Sequence, residues 1–167
     1  VAPGESIGIT ITDADNNVVT TTATVASDGS YSVTGADVSG LVDGTLTIEA
    51  SATDRNGSAV SDTASGILDA LAGDLSVAID AINDAAQTID LSGSTTDVAP
   101  GESVTITITD AGGTQVTATA IVGSDGSYSV TDTDISGLVD GTLTVDASAT
   151  DRNGSSVSDT ATGSLDA

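Results

Sequence analysis

The stretch SGLVDGTLTVDASATDRNGS, Ser136–Ser155, decides the fold. Within it, Thr142–Thr150 alternates with period two: Leu143, Val145, Ala147 and Ala149 face one way, and Thr142, Thr144, Asp146 and Ser148 the other. That period belongs to a half-buried β-strand, whose successive side chains point to opposite faces. Asp140-Gly141 precedes the run and Asn153-Gly154 follows it, both pairs suited to the positive φ of tight turns.

The same stretch stands 97 residues earlier, at Ser39–Ser58, with Ile48 for Val145 and Glu49 for Asp146. VAPGES (Val1–Ser6) returns at Val98–Ser103, and SDGSYSVT (Ser27–Thr34) at Ser124–Thr131. Residues 1–70 align with 98–167 without a gap, and 53 of the 70 pairs are identical. A fixed period of this kind marks a tandem array. Residues 71–167 make one complete unit; residues 1–70 match its last 70 residues.

Further alternating runs at Leu75–Ile82, Thr88–Gly93, Val104–Thr109, Val116–Ala120, Ser127–Thr131 and Ser156–Leu165 bring the unit to seven expected strands in 97 residues. The fold class is therefore all-β, with tandem immunoglobulin-like β-sandwiches of about seven strands per repeat. On this reading residues 1–70 lack the first two strands and keep five. The missing pair lies in sequence outside this window or comes by strand complementation from a neighbouring copy. The core is Val, Ile, Leu and Ala with one tyrosine per unit, Tyr31 and Tyr128, and at roughly 25 cal/mol per Å2 of apolar burial such a sandwich is marginal.

Composition excludes most chemistry. The chain carries 25 Asp and Glu against two Arg, for a net charge of −23, and has no Cys, His, Met, Trp or Phe. Thiol and His-relay catalysis, disulfides and ordinary zinc sites are absent with those residues. Nucleic acid and anionic membranes would repel so acidic a chain, and no apolar run approaches the roughly 18 residues of a membrane span. Abundant Val, Ile and Thr with only two Pro argue against acidic disorder.

If the seven strands run up and down, alternate loops collect at opposite ends of each unit. One end of the first unit gathers Asp13, Asp15, Asp37, Asp43 and Asp69; the facing end of the second offers Asp97, Asp125 and Asp151 with Asn153, and Asp74 ends the short connector. Oxygen ligands without His or Cys select a hard cation, and flexible loops suit Ca2+. The expected ligands are Asp13, Asp15, Asp37, Asp43, Asp54, Asp69, Asp74, Asp134, Asp140, Asp151 and Asp166, with Ca2+ stiffening the joint between successive units. Turn formation explains several of the same residues. Asp28 and Asp125 read as turn formers, Asp43 and Asp140 precede glycine, and Asp54 and Asp151 open an Asx-type turn. Asp13-Ala-Asp15-Asn-Asn17 opens like an EF-hand loop but lacks its glycine and closing glutamate, and the counterpart Asp110-Ala-Gly-Gly-Thr114 does not keep the pattern.

LVDGTLT followed by ASATDRNGS and a Thr/Ser-rich last strand resembles the bacterial Ig-like tandem repeats of giant RTX and biofilm-associated adhesins, including the extender region of an ice-binding adhesin. The resemblance covers essentially the whole chain. It implies a Ca2+-dependent extracellular extender at the bacterial cell surface, with neighbouring repeats of the same chain as partners. By matched motif, Asp43/Asp140 and Asp54/Asp151 are its metal positions. Two departures stand out: a tyrosine replaces the family's Trp in the fifth strand, and the last loop reads Arg-Asn-Gly.

Two other functions compete. Outward threonine rows (Thr105, Thr107, Thr109 and Thr117, Thr119) would suit a binding module for ice or glycan, although threonine favours exposed strand positions in any case. A carboxylate pair could serve a glycosidase, but no aromatic pocket accompanies it, so the chain is not expected to be an enzyme. A halophile's acidic surface would also account for the charge.

Overall fold

Period-two patterning builds every regular element of the chain. The computed structural model describes all of residues 1–167 and contains eleven strands and no helix. The chain divides into two compact units, Val1–Ala70 and Leu71–Ala167.

Unit 1 holds β1 (Ser6–Thr12), β2 (Val18–Thr24), β3 (Gly44–Thr53) and β4 (Ala59–Leu68) in one antiparallel sheet of order β2-β1-β3-β4. Ile7, Ile9, Ile11 and Leu46 line its inner face, closed on one side by Val25 and Leu41 from the loops.

Unit 2 holds β5 (Asp74–Asn83), β6 (Thr88–Thr96), β7 (Ser103–Thr109), β8 (Gln115–Ile121), β9 (Ser127–Asp134), β10 (Gly141–Thr150) and β11 (Ser156–Leu165). These form two sheets, β5-β6-β9 and β11-β10-β7-β8. All seven expected strands are present. The fourth strand, β8, pairs with the third, β7, in the sheet of the sixth and seventh strands. In an immunoglobulin constant domain the fourth strand joins the first, second and fifth instead. Ile89, Leu91 and Tyr128 from one sheet meet Val104, Ile106, Ile108, Leu143 and Val145 from the other, each of them buried. Leu143, Val145, Ala147 and Ala149 point into this core, as the alternation of β10 requires. On the outer face of the β7–β8 ladder, Thr105 stands opposite Thr119 and Thr107 opposite Thr117.

The expectation of a fifth strand in unit 1 is corrected. Residues 30–37, the counterpart of β9, form no strand. In unit 2 this segment pairs with β6, and residues 1–70 contain no counterpart of β6 for it to pair with.

Candidate functional site

The acidic loops are held by backbone amides, and the two units use the same contacts. Asp13, in the β1–β2 turn, accepts hydrogen bonds at Oδ1 from the N–H groups of Asp15 (2.9 Å) and Asn17 (2.8 Å). Its Oδ2 accepts from Asn17 Nδ2 (2.8 Å) and from the distant Val42 N–H (2.9 Å). Asp110 repeats this in unit 2, accepting from Gly112 (2.8 Å) and Thr114 (2.9 Å) at Oδ1 and from Val139 (3.0 Å) at Oδ2. Both carboxylates are buried. Burial pushes the Asp13 carboxyl up, but the bonds from Val42, Asn17 and Asp15 outweigh it and hold its pKa below the ordinary value. For Asp110 the Val139 N–H is the main cause of the lowering, helped by Thr114 and Gly112 against burial. The EF-hand-like spelling of residues 13–17 is thus one version of a loop lock that both units share, because one aspartate and three backbone amides make it.

A second lock lies beside the first. Asp43 Oδ2 accepts from Ala70 N–H (3.0 Å), and its counterpart Asp140 Oδ1 accepts from Ala167 N–H (3.0 Å), tying the loop before β3 or β10 to the end of the last strand. Asp43 is buried and Asp140 exposed. Asp166 donates its N–H to Asp84 Oδ1 (3.1 Å) in the β5–β6 turn. Asp37 and Asp134 each accept from the N–H two residues on, Ser39 and Ser136, and those serines hold both pKa values below the ordinary one. Asp15 and Asp69 are exposed; Asp15 lies two residues after Asp13, and Asp69 precedes Ala70, whose N–H Asp43 accepts.

Asp54 accepts at Oδ1 from Asn56 and Ser58 (both 2.8 Å), and Asp151 from Asn153 (3.0 Å) and Ser155 (2.8 Å), which is the Asx-type turn expected of DRNGS. Those bonds from Ser58 and Asn56 lower the Asp54 pKa. In unit 2 the turn packs against the N-terminal segment: a Cβ on Gly73 would lie 2.7 Å from Asp151 Oδ2. Arg152 donates its backbone N–H to Asp97 O (2.9 Å) and places its guanidinium Nε 4.0 Å from Asp97 Oδ1. Asp74 is exposed at the start of β5.

The donor set is all oxygen and suits a hard cation. No group of three or more acidic side chains is placed to hold a metal ion.

Sequence reasoning missed Asp159. From β11 its Oδ2 accepts the Val77 N–H of β5 (2.9 Å), joining the two sheets, and that bond lowers its pKa. Nothing in the alternation of SVSDTAT separates this aspartate from a solvated one, since the partner is a backbone amide 82 residues away. Tyr128 was legible as core but its bond was not: its hydroxyl donates to Ser76 O (2.6 Å), and burial, with Asp159 nearby, pushes its pKa up to about 12.

No family model and no curated protein matches the chain. Among solved structures it is similar to a tetra-tandem repeat in the extending region of a large adhesion protein, at 62% identity and TM-score 0.91. The match covers 99% of this chain and 43% of that one. It also matches a structure bearing on host cell surface retention of a 1.5-MDa bacterial ice-binding adhesin (21% identity, TM-score 0.38, 96% of this chain and 52% of that one). A further match is a Ca2+-stabilized adhesin that helps an Antarctic bacterium reach out and bind ice (26% identity, TM-score 0.35, 99% and 40%). The chain spans about half the length of these proteins or less. By class, then, it is a tandem array of all-β repeats. Its repeats are similar to those in the extending region of a large adhesion protein. No helix is long and apolar enough to cross a membrane.

Proposed function

We propose that this chain is a non-enzymatic structural extender, a stretch of the stalk of a large bacterial adhesin outside the cell, with neighbouring repeats of the same chain as its partners. The observation that carries the reading is the 62% identity and 0.91 TM-score to repeats of an extending region over nearly the whole chain. Repetition supports it too. Two units with the same loop locks and 53 of 70 identical positions suit a part whose value is length, because a recognition site needs only one copy. A ten-residue strand spans ~33 Å at ~3.3 Å per residue, so each repeat adds a few nanometres.

Ca2+ is the cation proposed to stabilise the stalk. Its support is charge and donor chemistry: 25 carboxylates, two Arg and no His or Cys. The candidate positions are Asp13, Asp15, Asp37, Asp43, Asp54, Asp69 and Asp74, with Asp134, Asp140, Asp151 and Asp166 as the matching residues of the second repeat.

Small-angle scattering and calorimetry on a multi-repeat chain in CaCl2, in NaCl and in EDTA test both parts. The expected result is a rod-like particle whose melting temperature and maximum dimension fall in EDTA and are not restored by NaCl. A rod that is indifferent to EDTA removes calcium and keeps the extender; a compact particle in every buffer removes the extender.

A further inference from the structure

The first and last strands of unit 2 lie side by side without sharing a ladder. β5 is the edge of one sheet and β11 the edge of the other. Four contacts place them. Gly73, just ahead of β5, packs against Asp151 and Val157: a Cβ there would lie 2.7 Å from Asp151 Oδ2 and 3.0 Å from Val157 Cγ1. Val77 N–H donates to Asp159 Oδ2 (2.9 Å). Gly163 lies under Ile79 and Ile82, whose Cδ1 atoms would stand 3.0 and 2.8 Å from a Cβ placed on it. Asp166 N–H donates to Asp84 Oδ1 (3.1 Å). Along this seam the residue numbers rise together on both sides, so the two strands run in the same direction.

That direction sets how the seam meets tension. In a tandem array the chain enters a repeat ahead of its first strand and leaves it after its last. With β5 and β11 parallel, those two points stand at opposite ends of the seam, so a pull along the chain slides one strand past the other. Sliding strains the four contacts together, whereas a pull applied at one end would open them in turn. Side-chain relief opposes the slide as well. Ile79 and Ile82 sit over the gap that Gly163 leaves between Ala161 and Leu165, its neighbours on the same face of β11. A shift either way drives the isoleucines into a side chain.

We infer that the β5–β11 seam is a mechanical clamp, in which Asp159 ties the first strand of the repeat to the last against tension along the chain. The carboxylate takes the Val77 N–H within the seam, with Gly73 packed towards one end and the Asp84–Asp166 bond at the other. A bond to an ionised acceptor is roughly twice as strong as a neutral one. It stands here where no ladder joins the two strands. Only the direction of the pull comes from the stalk reading, and calcium has no part in it.

Single-molecule force spectroscopy on the full 167-residue chain tests the clamp. The chain has no cysteine, so paired substitutions can carry the handles. Leu71→Cys with Ala167→Cys pulls along the seam, and Ala85→Cys with Ala167→Cys opens it from the end at Asp84. The handles impose the direction, so the result stands whether or not scattering finds a rod. Unit 2 should withstand a clearly higher force in the first pull than in the second. Under a constant pull along the seam, Asp159→Ala should unfold roughly tenfold faster than the parent, since forced unfolding reads the unfolding rate and one bond to a charged group is lost. Asp159→Asn, which keeps an acceptor, should stay within roughly threefold. Both variants should match the parent in the second pull. Equal forces in the two directions overturn the clamp. So does an Asp159→Ala chain that unfolds at the parent's rate along the seam, or one accelerated equally in both directions, which would make the bond one of general stability. If Asp159→Ala does not fold, as read by Tyr128 fluorescence in the Tyr31→Phe chain, the two directions of the parent decide.

Discussion

SDGSYSVT occurs twice, at Ser27–Thr34 and Ser124–Thr131, and the same eight residues take two structures. In unit 2 they lead into β9, paired with β6; in unit 1 they form no strand. Composition, alternation and turn chemistry are constant between the two, so the difference lies in what stands alongside. Strand propensity here is a capacity to fit a pleated, half-buried surface, realised only when a partner supplies the other half. The cores show the same dependence: Ile106 and Leu143 are fully buried, while Ile9 and Leu46 at the matching positions keep 8% of their surface. The backbone bonds of the loop locks, by contrast, recur in both units. Local contacts within the larger sheet survive without the hairpin, and contacts across the sandwich do not.

The comparison predicts the order of unfolding. Unit 1 lacks a second sheet, and its inner face reaches solvent at Tyr31 and Val60. It should melt well before unit 2, giving two calorimetric transitions. With one tyrosine in each unit, fluorescence of the Tyr31→Phe and Tyr128→Phe proteins assigns them. A single transition seen alike by both tyrosines would break the distinction between an open and a closed unit.

Core truncation sharpens it. Ile106→Ala removes a fully enclosed side chain and should destabilise unit 2 by about 4 kcal/mol, near the upper part of the range for such cavities. Ile9→Ala, at an already leaky face, should cost unit 1 roughly half as much, since solvent and neighbours can fill the space. Urea titration of each unit through its own tyrosine measures both. Equal costs would mean that the face of unit 1 is as closed as that of unit 2.

The tyrosines give a smaller contrast. Tyr128→Phe loses the bond to Ser76 O and should destabilise unit 2 by about 1 kcal/mol, whereas Tyr31→Phe should stay within ~0.5 kcal/mol in unit 1. Alkali reads the same bond. Tyr128 has its pKa raised from 10.0 to about 12, first by burial and then by Asp159. The neutral form is therefore favoured by folding: the contribution is fully present below pH 10 and is lost as pH rises towards 12. Absorbance titration of the Tyr31→Phe protein should place the remaining phenol near 12 while unit 2 stays folded. A value near 10 in the folded unit would remove the enclosed hydroxyl from the account.

How much of this was legible in the sequence follows from the range of each contact. Every strand of unit 2 could be read, because alternation and Asp-Gly or Asn-Gly turns are properties of neighbouring residues. The Asx turns at Asp54 and Asp151 were legible for the same reason. The placement of β8 beside β7 was not, since nothing in Gln115–Ile121 says which sheet it joins. Nor could the fate of residues 30–37 be read locally, because the matching segment of unit 2 is a strand through its pairing with β6, distant in sequence. Among the acidic residues, charge announced a crowd of carboxylates but not their partners. Asp159 reaches an amide 82 residues away, and Asp110 reaches one 29 residues away across two loops.

Asp13 and Asp110 supply the smallest contrast, one in which the units should behave alike. Asp13 joins the β1–β2 turn to the loop before β3, Asp110 joins the β7–β8 turn to the loop before β10, and none of these partners belongs to the β5–β6 hairpin. Asp13→Asn and Asp110→Asn each place an amide nitrogen or a weaker acceptor against backbone N–H groups, so each should lower the melting temperature of its own unit by a similar amount. Acid should act in the same way. Both pKa values lie below the ordinary 3.8, so the stabilisation is present above that value and fades as pH falls beneath it. The two asparagine variants should therefore lose stability less steeply between pH 4 and pH 2 than the parent chain. Strongly unequal melting shifts would show that the hairpin braces the lock in unit 2 from a distance, and the division between local and cross-sandwich contacts would have to be redrawn.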